Sequence, residues 1–265
     1  AVPGRMFDML AKAQVHLSAT TGAKIPVGRH GEGTQSLSVL MLFSAFLSTL
    51  PGGSPVVALE EPEAHLHPSA VRALWEILAL IGGQRVISTH SGDLLSEVDI
   101  LNVRRLAKAK DEIRSFRVHP TLLSAEETRK FNYHVRRSRG ELLFARCWLL
   151  VEGETEAWIF PAAARALGMK LHRDGVRIVE YSQSDVGLLA KVANSLGLPW
   201  FCVIDDDSGK NEYEPKVRGN VATASENDRL RLPYRNMETH LLENGYDTIY
   251  EAYMPEQNRA KLTKN

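Results

Sequence analysis

Short apolar runs that stop at carboxylates most constrain what this chain can fold into. The three runs and their acids are Val56–Leu59 with Glu60 and Glu61, Cys147–Val151 with Glu152, and Trp200–Ile204 with Asp205, Asp206 and Asp207. Apolar runs of four or five residues bounded by turn residues predict buried strands. Helical patterns lie between successive strands, and strands that alternate with helices predict parallel sheets with crossover helices. The chain is therefore predicted to be α/β, with acids at the carboxyl ends of its strands.

The predicted elements fall into two α/β halves. The first half has helices at Phe7–Ala19, Thr34–Leu50 and Ser69–Ile81, a glycine-rich loop at Gly28–Gly33, and strands at Val56–Leu59 and Arg85–Ser88. The second half has strands at Cys147–Val151, Gly175–Tyr181 and Trp200–Ile204, and helices at Thr155–Leu167, Ser184–Leu196 and Thr239–Tyr253. Pro161 predicts a kink in the first of these helices.

Residues 100–140 differ from both halves, because their charge is high and their strand signals are weak. An edge strand is predicted at Ile113–Val118, and we interpret the segment after it as a connector. The predicted organisation is one domain over residues 1–118, a connector over 119–144 and a second domain over 145–265.

Composition excludes some classes of function. The 265 residues carry 32 Lys and Arg against 32 Asp and Glu, so no global charge steers the chain to nucleic acid or membrane, although a local patch still can. The apolar stretch Leu37–Leu50 is too short to span a bilayer, and no signal peptide is predicted. Cys147 and Cys202 lie in apolar runs without a CxxC partner, which predicts free thiols, no zinc site and a reducing, cytoplasmic location.

The first acid pair follows the strand at Val56–Leu59. Ligands bind at the carboxyl ends of parallel strands, where one of Glu60 and Glu61 can hold a magnesium ion and the other can activate water. His90 ends the next strand, and the glycines of "GRHGEG" precede a helix, which is a ready anion site. Taken singly, each feature has a plainer interpretation: a charge pair at a helix start, a structural histidine and a turn.

The second group of acids follows two strands of the second half. Glu152 and Glu156 lie near one strand end and Asp205 and Asp207 at another, so all four are predicted at the same edge of a parallel sheet. Clustered carboxylates repel each other unless a cation lies between them, and oxygen ligands favour magnesium or manganese. Two such ions can catalyse phosphodiester hydrolysis. The alternatives are that Glu154 and Glu156 complement a helix dipole and that "DDDSGK" is an acidic turn.

The first half resembles the ABC-type ATPases, in particular their RecF- and SMC-like branch. "VVALEEPEAHLHP" is similar to the Walker B and D-loop region of that family, "ISTHS" to its switch-histidine loop and "GEGTQ" to its signature loop. The resemblance implies the following roles: metal binding by Glu60, a catalytic base at Glu61, a switch at His90 and signature contacts at Gly31 and Gly33. It also implies a homodimer around ATP.

Two features depart from the ABC pattern. Glu60 stands where that family usually has Asp, and no GxxxxGK[ST] phosphate loop occurs in the sequence. We expect the chain to lack the N-terminal part of the ATPase domain, so that ATP binds only in the full-length protein. A degenerate nucleotide site is the alternative.

The second half resembles the Toprim domain, a Rossmann-like fold, through "VEGETE" and "DDD". An ABC-type segment followed by Toprim resembles the OLD (overcoming lysogenization defect) family of ATP-dependent nucleases. The resemblance implies that Glu152 is a general acid/base or lies beside the metal, and that Asp205, Asp207 and Glu156 are metal ligands. Glu238 in "RNMETHLLE" is a further candidate ligand. A lysine expected in the family is not assigned, so we expect the site to be incomplete.

The predicted function is a metal-dependent DNA endonuclease using Mg²⁺ or Mn²⁺, coupled to an ABC-type ATPase module. A non-catalytic SMC- or RecF-like DNA clamp or repair scaffold is the main alternative, and a DNA-dependent ATPase is a third. Phage defence or DNA repair is the role that the resemblance suggests. Candidate DNA contacts are Arg136, Arg137 and Arg139, with Arg104 and Arg105, although a solvated linker explains the same charges.

Overall fold

The structure is a computed structural model that describes residues 14–18, 22–49, 55–182, 184–206, 209–221 and 236–249. It divides into two compact units, with the boundary between Val98 and Asp99. Parallel sheets with helical connections occur in both units, so the predicted α/β class is confirmed. Within the described ranges, no helix combines the length and hydropathy needed to cross a membrane.

The first unit contains two short sheets and three helices among its described residues. Its elements are β1 (His16–Ser18), β2 (Lys24–Pro26), a 3₁₀ turn (Val27–Arg29), α1 (Glu32–Thr49), β3 (Val56–Glu60), α2 (Pro68–Leu80), β4 (Gln84–Ser88) and α3 (Gly92–Leu95). Strands β1 and β2 are antiparallel, whereas β3 and β4 are parallel. The helix α2 crosses between β3 and β4 as predicted, and its buried Leu74 and Leu78 form the centre of a small core.

The second unit is built on a three-stranded parallel sheet. Its elements are a 3₁₀ turn (Ile100–Asn102), β5 (Arg105–Ala109), β6 (Glu112–Phe116), α4 (Ala125–Arg137), a 3₁₀ turn (Glu141–Phe144), β7 (Cys147–Val151), α5 (Glu154–Ala166), α6 (Leu171–Asp174), β8 (Val176–Glu180), α7 (Val186–Ser195), β9 (Trp200–Cys202), α8 (Lys210–Arg218), α9 (Met237–Leu241) and a π turn (Leu242–Tyr246). The sheet order is β8-β7-β9.

The central strand β7 carries the core of this unit. Trp148 and Leu150 are fully buried, and β7 pairs with β8 on one side and β9 on the other. The indole Nε1 of Trp148 donates to the Leu142 carbonyl oxygen at 2.8 Å, and its ring stacks on Phe131 with centroids 6.5 Å apart. Parallel strands covered on both faces are apolar along their whole length, which is why the sequence pattern located β7.

The predicted connector is a packed part of the second unit. Residues 119–144 contain α4, whose buried Thr128, Phe131 and Val135 form one helical stripe, and a turn that buries Leu142. A capping box between Ser124 and Glu127 starts the helix. The compact boundary at Val98 lies twenty residues before residue 118. The boundaries of the predicted domains themselves stay a prediction.

Several predicted elements differ from the structure. The helix expected at Phe7–Ala19 is wrong at its end, because His16–Ser18 is the strand β1, and residues 1–13 and 19 lie outside the described part. The edge strand is Glu112–Phe116, and it pairs with β5, which the sequence analysis did not predict. The helix expected at Thr239–Tyr253 breaks at Gly245, where φ is +83°, and residues 250–253 lie outside the described part. The helix α5 continues through Pro161.

Candidate functional site

Two of the predicted ligands, Glu152 and Asp205, follow neighbouring parallel strands. Glu152 comes directly after β7, and Asp205 comes three residues after β9 ends at Cys202. The amide of Val203 donates to the Leu150 carbonyl oxygen at 2.9 Å, which extends the pairing of the two strands toward their carboxyl ends. Both acids are half-buried. Both therefore lie at the carboxyl edge of one sheet, as predicted.

The charges of Glu152 and Asp205 act on one buried side chain, Tyr181. Burial is the main reason that the pKa of Tyr181 is raised far above its ordinary value, and the negative charges of Glu152 and Asp205 add to the effect. Burial, followed by the charge of Glu152, also raises the pKa of the Cys202 thiol. Tyr181 hydrogen-bonds to Val151 and Val203, so it lies beside the carboxyl ends of the two strands that Glu152 and Asp205 follow.

Glu152 has the surroundings expected of a cation ligand. Its Oε2 atom has no solvent exposure, and its backbone oxygen accepts from the Ser182 amide at 3.0 Å. An ionised carboxylate is costly to bury unless its charge is offset, and a divalent cation held by oxygen atoms offsets it. The predicted ligands at this edge bind through carboxylate oxygens, which is the ligand chemistry of Mg²⁺ and Mn²⁺. The residues present therefore fit such an ion.

Glu156 has a structural use in the first turn of α5. Its side chain is 5% exposed, and its Oε2 accepts from the Gly153 amide at 3.0 Å. This hydrogen bond satisfies an amide that has no partner within the helix, so Glu156 caps the start of α5. Glu154 is exposed, as predicted. The role of Glu156 as a metal ligand stays a prediction.

Replacing Glu156 with Ala should lower the free energy of unfolding by about 1–2 kcal/mol, because the Gly153 amide loses its acceptor at a helix start. Replacing it with Gln, which keeps a carbonyl acceptor, should cost less. The exposed Glu154→Ala is the matched control and should change stability by no more than about 0.5 kcal/mol. Urea unfolding measures all three variants. Equal losses in Glu156→Ala and Glu154→Ala would contradict the capping role.

Glu238 is brought to the same helix start through Thr155. The Thr155 hydroxyl donates to Glu238 Oε1 at 3.0 Å, although the two residues are 83 positions apart. Glu238 is exposed and lies in the first turn of α9. That helix begins at Asn236, whose Oδ1 accepts from the Thr239 amide at 2.8 Å, so Asn236 has a capping role. The structure therefore places Glu238 beside α5 and leaves its metal role a prediction.

The predicted ligand set is incomplete in the described part of the chain. Asp207 lies outside the described residues. Among the residues that are described, no group of three or more His, Cys, Asp or Glu side chains is arranged to hold a metal ion. The structure therefore brings together Glu152 and Asp205, and it provides no complete coordination sphere within the described ranges.

Tyr181 is a site residue that sequence reasoning missed. It is fully buried directly after β8, and its amide donates to the Val151 carbonyl oxygen at 2.8 Å. Its hydroxyl donates to the Val203 carbonyl oxygen at 2.9 Å, and its ring meets Tyr213 of α8 edge-on with centroids 5.2 Å apart. Tyr181 therefore connects the residues that precede Glu152 and Asp205. The sequence feature that could have indicated Tyr181 is its position as the last residue of the predicted strand segment "VRIVEY".

Lys216 is a second residue that the sequence did not reveal. Its Nζ lies 3.1 Å from Asp185 Oδ2 and 3.0 Å from Glu212 Oε1. The hydrogen bonds to Glu212 and Asp185 raise the pKa of Lys216. Burial favours a higher pKa for Asp185, but the hydrogen bond from Lys216 lowers it below its ordinary value. Because Asp185 also caps α7 through the Leu188 amide, Lys216 ties α8 to the start of α7.

In the first unit, the structure brings together Glu61 and His90. Glu60 ends β3 opposite Ser88 of β4, and the Glu61 amide donates to the Ser88 carbonyl oxygen at 2.9 Å. Glu61 Oε1 and His90 Nε2 are 3.6 Å apart, and both side chains reach solvent. Glu61 has a φ of +42°, a backbone conformation that is uncommon for a residue with a side chain and that occurs more often at functional sites.

Gly31 and Gly33 lie at the start of α1. A Cβ atom on Gly33 would lie 3.0 Å from both the His65 carbonyl oxygen and a side-chain methyl of Leu66. The neighbouring Glu32 is 3.3 Å from His65 Nδ1. The helix start therefore packs closely on the loop after β3, which explains the glycine at position 33. Nucleotide contact by Gly31 and Gly33 stays a prediction.

The candidate DNA-contact arginines fall into two groups. Arg105 donates to the carbonyl oxygens of Leu196 and Gly197, and Arg104 donates to carbonyl oxygens in its own turn, so a structural role accounts for both. Arg136, Arg137 and Arg139 are exposed.

The free thiols predicted for Cys147 and Cys202 are confirmed.

Two family models match the chain. Residues 34–141 match a model described as a protein of unknown function (DUF2813), and residues 143–207 match "Overcoming lysogenization defect protein-like, TOPRIM domain". The Old nuclease of Escherichia phage P2 is 25% identical over 235 residues, which are 82% of this chain and 38% of that protein. The chain belongs to the OLD family.

Two further relatives extend the comparison. The OLD nuclease of Thermus scotoductus is 28% identical over 197 residues, which are 69% of this chain and 36% of that protein. The uncharacterized protein YbjD of Escherichia coli (strain K12) is 34% identical over 215 residues, which are 79% of this chain and 39% of that protein. The chain therefore spans about two fifths of the length of these three relatives.

Proposed function

We propose that the second unit carries the catalytic centre of a metal-dependent DNA endonuclease. One observation carries the proposal: Glu152 and Asp205 follow the neighbouring parallel strands β7 and β9, so they lie at the same sheet edge. The Toprim match over residues 143–207 includes both acids and Asp207. Two relatives named as nucleases support the reaction class.

In the proposed centre, Glu152, Asp205 and Asp207 hold Mg²⁺ or Mn²⁺, and Glu156 and Glu238 are further ligands. A divalent ion bound there supplies charge stabilisation for the phosphate and lowers the pKa of water. Glu152 accepts the proton of the attacking water, which the burial of its Oε2 suits. Lys216 holds α8 in place after the loop that carries Asp205.

The first unit is proposed to be part of an ABC-type ATPase module that controls cleavage. Glu60 holds the metal of the nucleotide, Glu61 acts as the base, and His90 senses the terminal phosphate. Gly31 and Gly33 contact nucleotide bound to a second copy, so ATP promotes a homodimer in the full-length protein. The 3.6 Å approach of Glu61 and His90 supports this part of the proposal. A cytoplasmic location suits the two free thiols.

Nicking of supercoiled plasmid by the full-length protein tests the nuclease. We expect cleavage with Mg²⁺ or Mn²⁺ and none with a chelator. Glu152→Gln should reduce the rate about 100-fold, because it removes a charge that the ion requires, while the exposed Glu154→Gln should stay within about twofold of wild type. Calorimetry should show weakened Mn²⁺ binding only in Glu152→Gln. Wild-type cleavage by Glu152→Gln would instead favour the DNA clamp or scaffold, in which the acids are structural.

A further inference from the structure

One exposed face of α4 is rich in cations. Arg129, Tyr133, Arg136 and Arg137 are spaced four, three and one residues apart, so they share one side of the helix. All four are exposed, and Tyr133 is 66% exposed. Arg139 follows directly after the helix and is also exposed. We call these five residues the α4 basic face.

The α4 basic face is held on an ordered helix. The opposite side of α4 buries Phe131 against Trp148. At the N-terminus, Glu127 caps the helix with Ser124 and accepts from Lys191 of α7 at 2.7 Å. The hydrogen bond from Lys191 is the main cause that lowers the pKa of Glu127 to about 2. The exposed side chains are therefore presented on a fixed support and not on a solvated linker.

Few carboxylates neutralise the α4 basic face. Glu126 lies in the first turn of α4 and is engaged by Lys130 at 2.9 Å. In the described ranges, no carboxylate lies within ion-pair distance of Arg129, Arg137 or Arg139. Some other exposed arginines of the second unit pair with acids, as Arg114 does with Glu112, Arg173 with Asp174 and Arg218 with Glu214. The positive charges of Arg129, Arg137 and Arg139 are therefore available to a partner.

We propose that the α4 basic face binds the phosphate backbone of duplex DNA, as a contact surface additional to the carboxylate edge. The inference rests on the proposed function, which takes DNA as the substrate. Guanidinium groups bind phosphate oxygens in a bidentate manner, and a tyrosine hydroxyl can donate to phosphate. From Arg129 to Arg137 the helix rises about 12 Å, over which one DNA strand presents roughly three phosphates.

The test compares two triple variants of the full-length protein that remove the same charge. One carries Arg129→Gln, Arg136→Gln and Arg137→Gln, and the control carries Arg114→Gln, Arg173→Gln and Arg218→Gln. Fluorescence anisotropy gives the affinity for a duplex in chelator, between about 50 and 200 mM salt. We expect the α4 triple variant to bind at least about tenfold more weakly at low salt. Its slope of log affinity against log salt should be smaller by roughly three. The control should keep most of the affinity.

Kinetics separates this inference from the proposed nuclease. The α4 triple variant should raise the KM for plasmid and keep kcat within about twofold, while Glu152→Gln should bind the duplex with wild-type affinity. If nicking depends on Glu152 but the α4 triple variant keeps the wild-type affinity and salt slope, the inference is overturned and the nuclease stands. If the wild type nicks no plasmid but the α4 triple variant binds DNA weakly, the inference stands and the proposed nuclease is overturned. Loss of binding to polyglutamate without loss of DNA binding assigns the face to an acidic protein and also overturns the inference.

Discussion

Combining Glu152→Gln with Asp205→Asn should slow metal-dependent nicking no more than the more damaging single change does. Each single change is expected to cost about 100-fold, because each removes a charged ligand from a shared ion. Groups that act as one unit are strongly non-additive, since the first loss already disables the unit. The measurement is a double-mutant cycle, which compares the initial rates of plasmid nicking of the wild type, both single variants and the double variant.

The control for this cycle uses the exposed acids beside the same two positions. Glu154→Gln and Asp206→Asn carry the same charge changes one or two residues away, and together they should leave the nicking rate within about twofold. Independent structural effects of Glu152 and Asp205 would multiply instead, giving a loss of about 10⁴-fold in the double variant. A multiplicative result would therefore refute a shared ion even though each single variant loses most of its activity.

The sheet of the second unit was predictable because its signal is local. Strands β7 and β9 bury Trp148, Leu150, Trp200 and Cys202, and their sequences are continuous apolar runs that stop where the backbone reaches the sheet edge. The positions of Glu152 and Asp205 follow from those run ends and from the rule that parallel strands end together. Helix α4 was not predicted, because only Thr128, Phe131 and Val135 form its buried stripe and the rest of the segment is highly charged.

The support of the site was not predictable, because it depends on pairs that are distant in sequence. The hydroxyl of Tyr181 reaches the Val203 carbonyl oxygen 22 residues away, and Lys216 reaches Asp185 across 31 residues. Neither contact leaves a periodic pattern. Glu156 shows a different limit: the sequence allowed a helix-dipole role or a ligand role, and only the 3.0 Å contact with the Gly153 amide shows that Glu156 caps the helix.

Removing the Tyr181 hydroxyl should weaken metal binding as well as the fold. In Tyr181→Phe the buried ring stays against Tyr213, but the Val203 carbonyl oxygen loses its donor, which costs about 1–3 kcal/mol of unfolding free energy. Val203 lies two residues before Asp205, so the position of that carboxylate becomes less well fixed. We expect the Mn²⁺ concentration for half-maximal nicking to rise about tenfold, with a matching loss of affinity by calorimetry.

A stability control decides whether Tyr181 positions the site or only stabilises the sheet. Val179→Ala removes a buried side chain from β8, two residues before Tyr181, and costs stability of the same order through a cavity. It should leave the half-maximal Mn²⁺ concentration within about twofold of wild type, as should Tyr246→Phe at an exposed tyrosine. If Val179→Ala and Tyr181→Phe raise that concentration equally, the hydroxyl acts through general stability. If the two variants lose the same stability but only Tyr181→Phe raises the half-maximal Mn²⁺ concentration, the Tyr181 hydroxyl holds Asp205 in place.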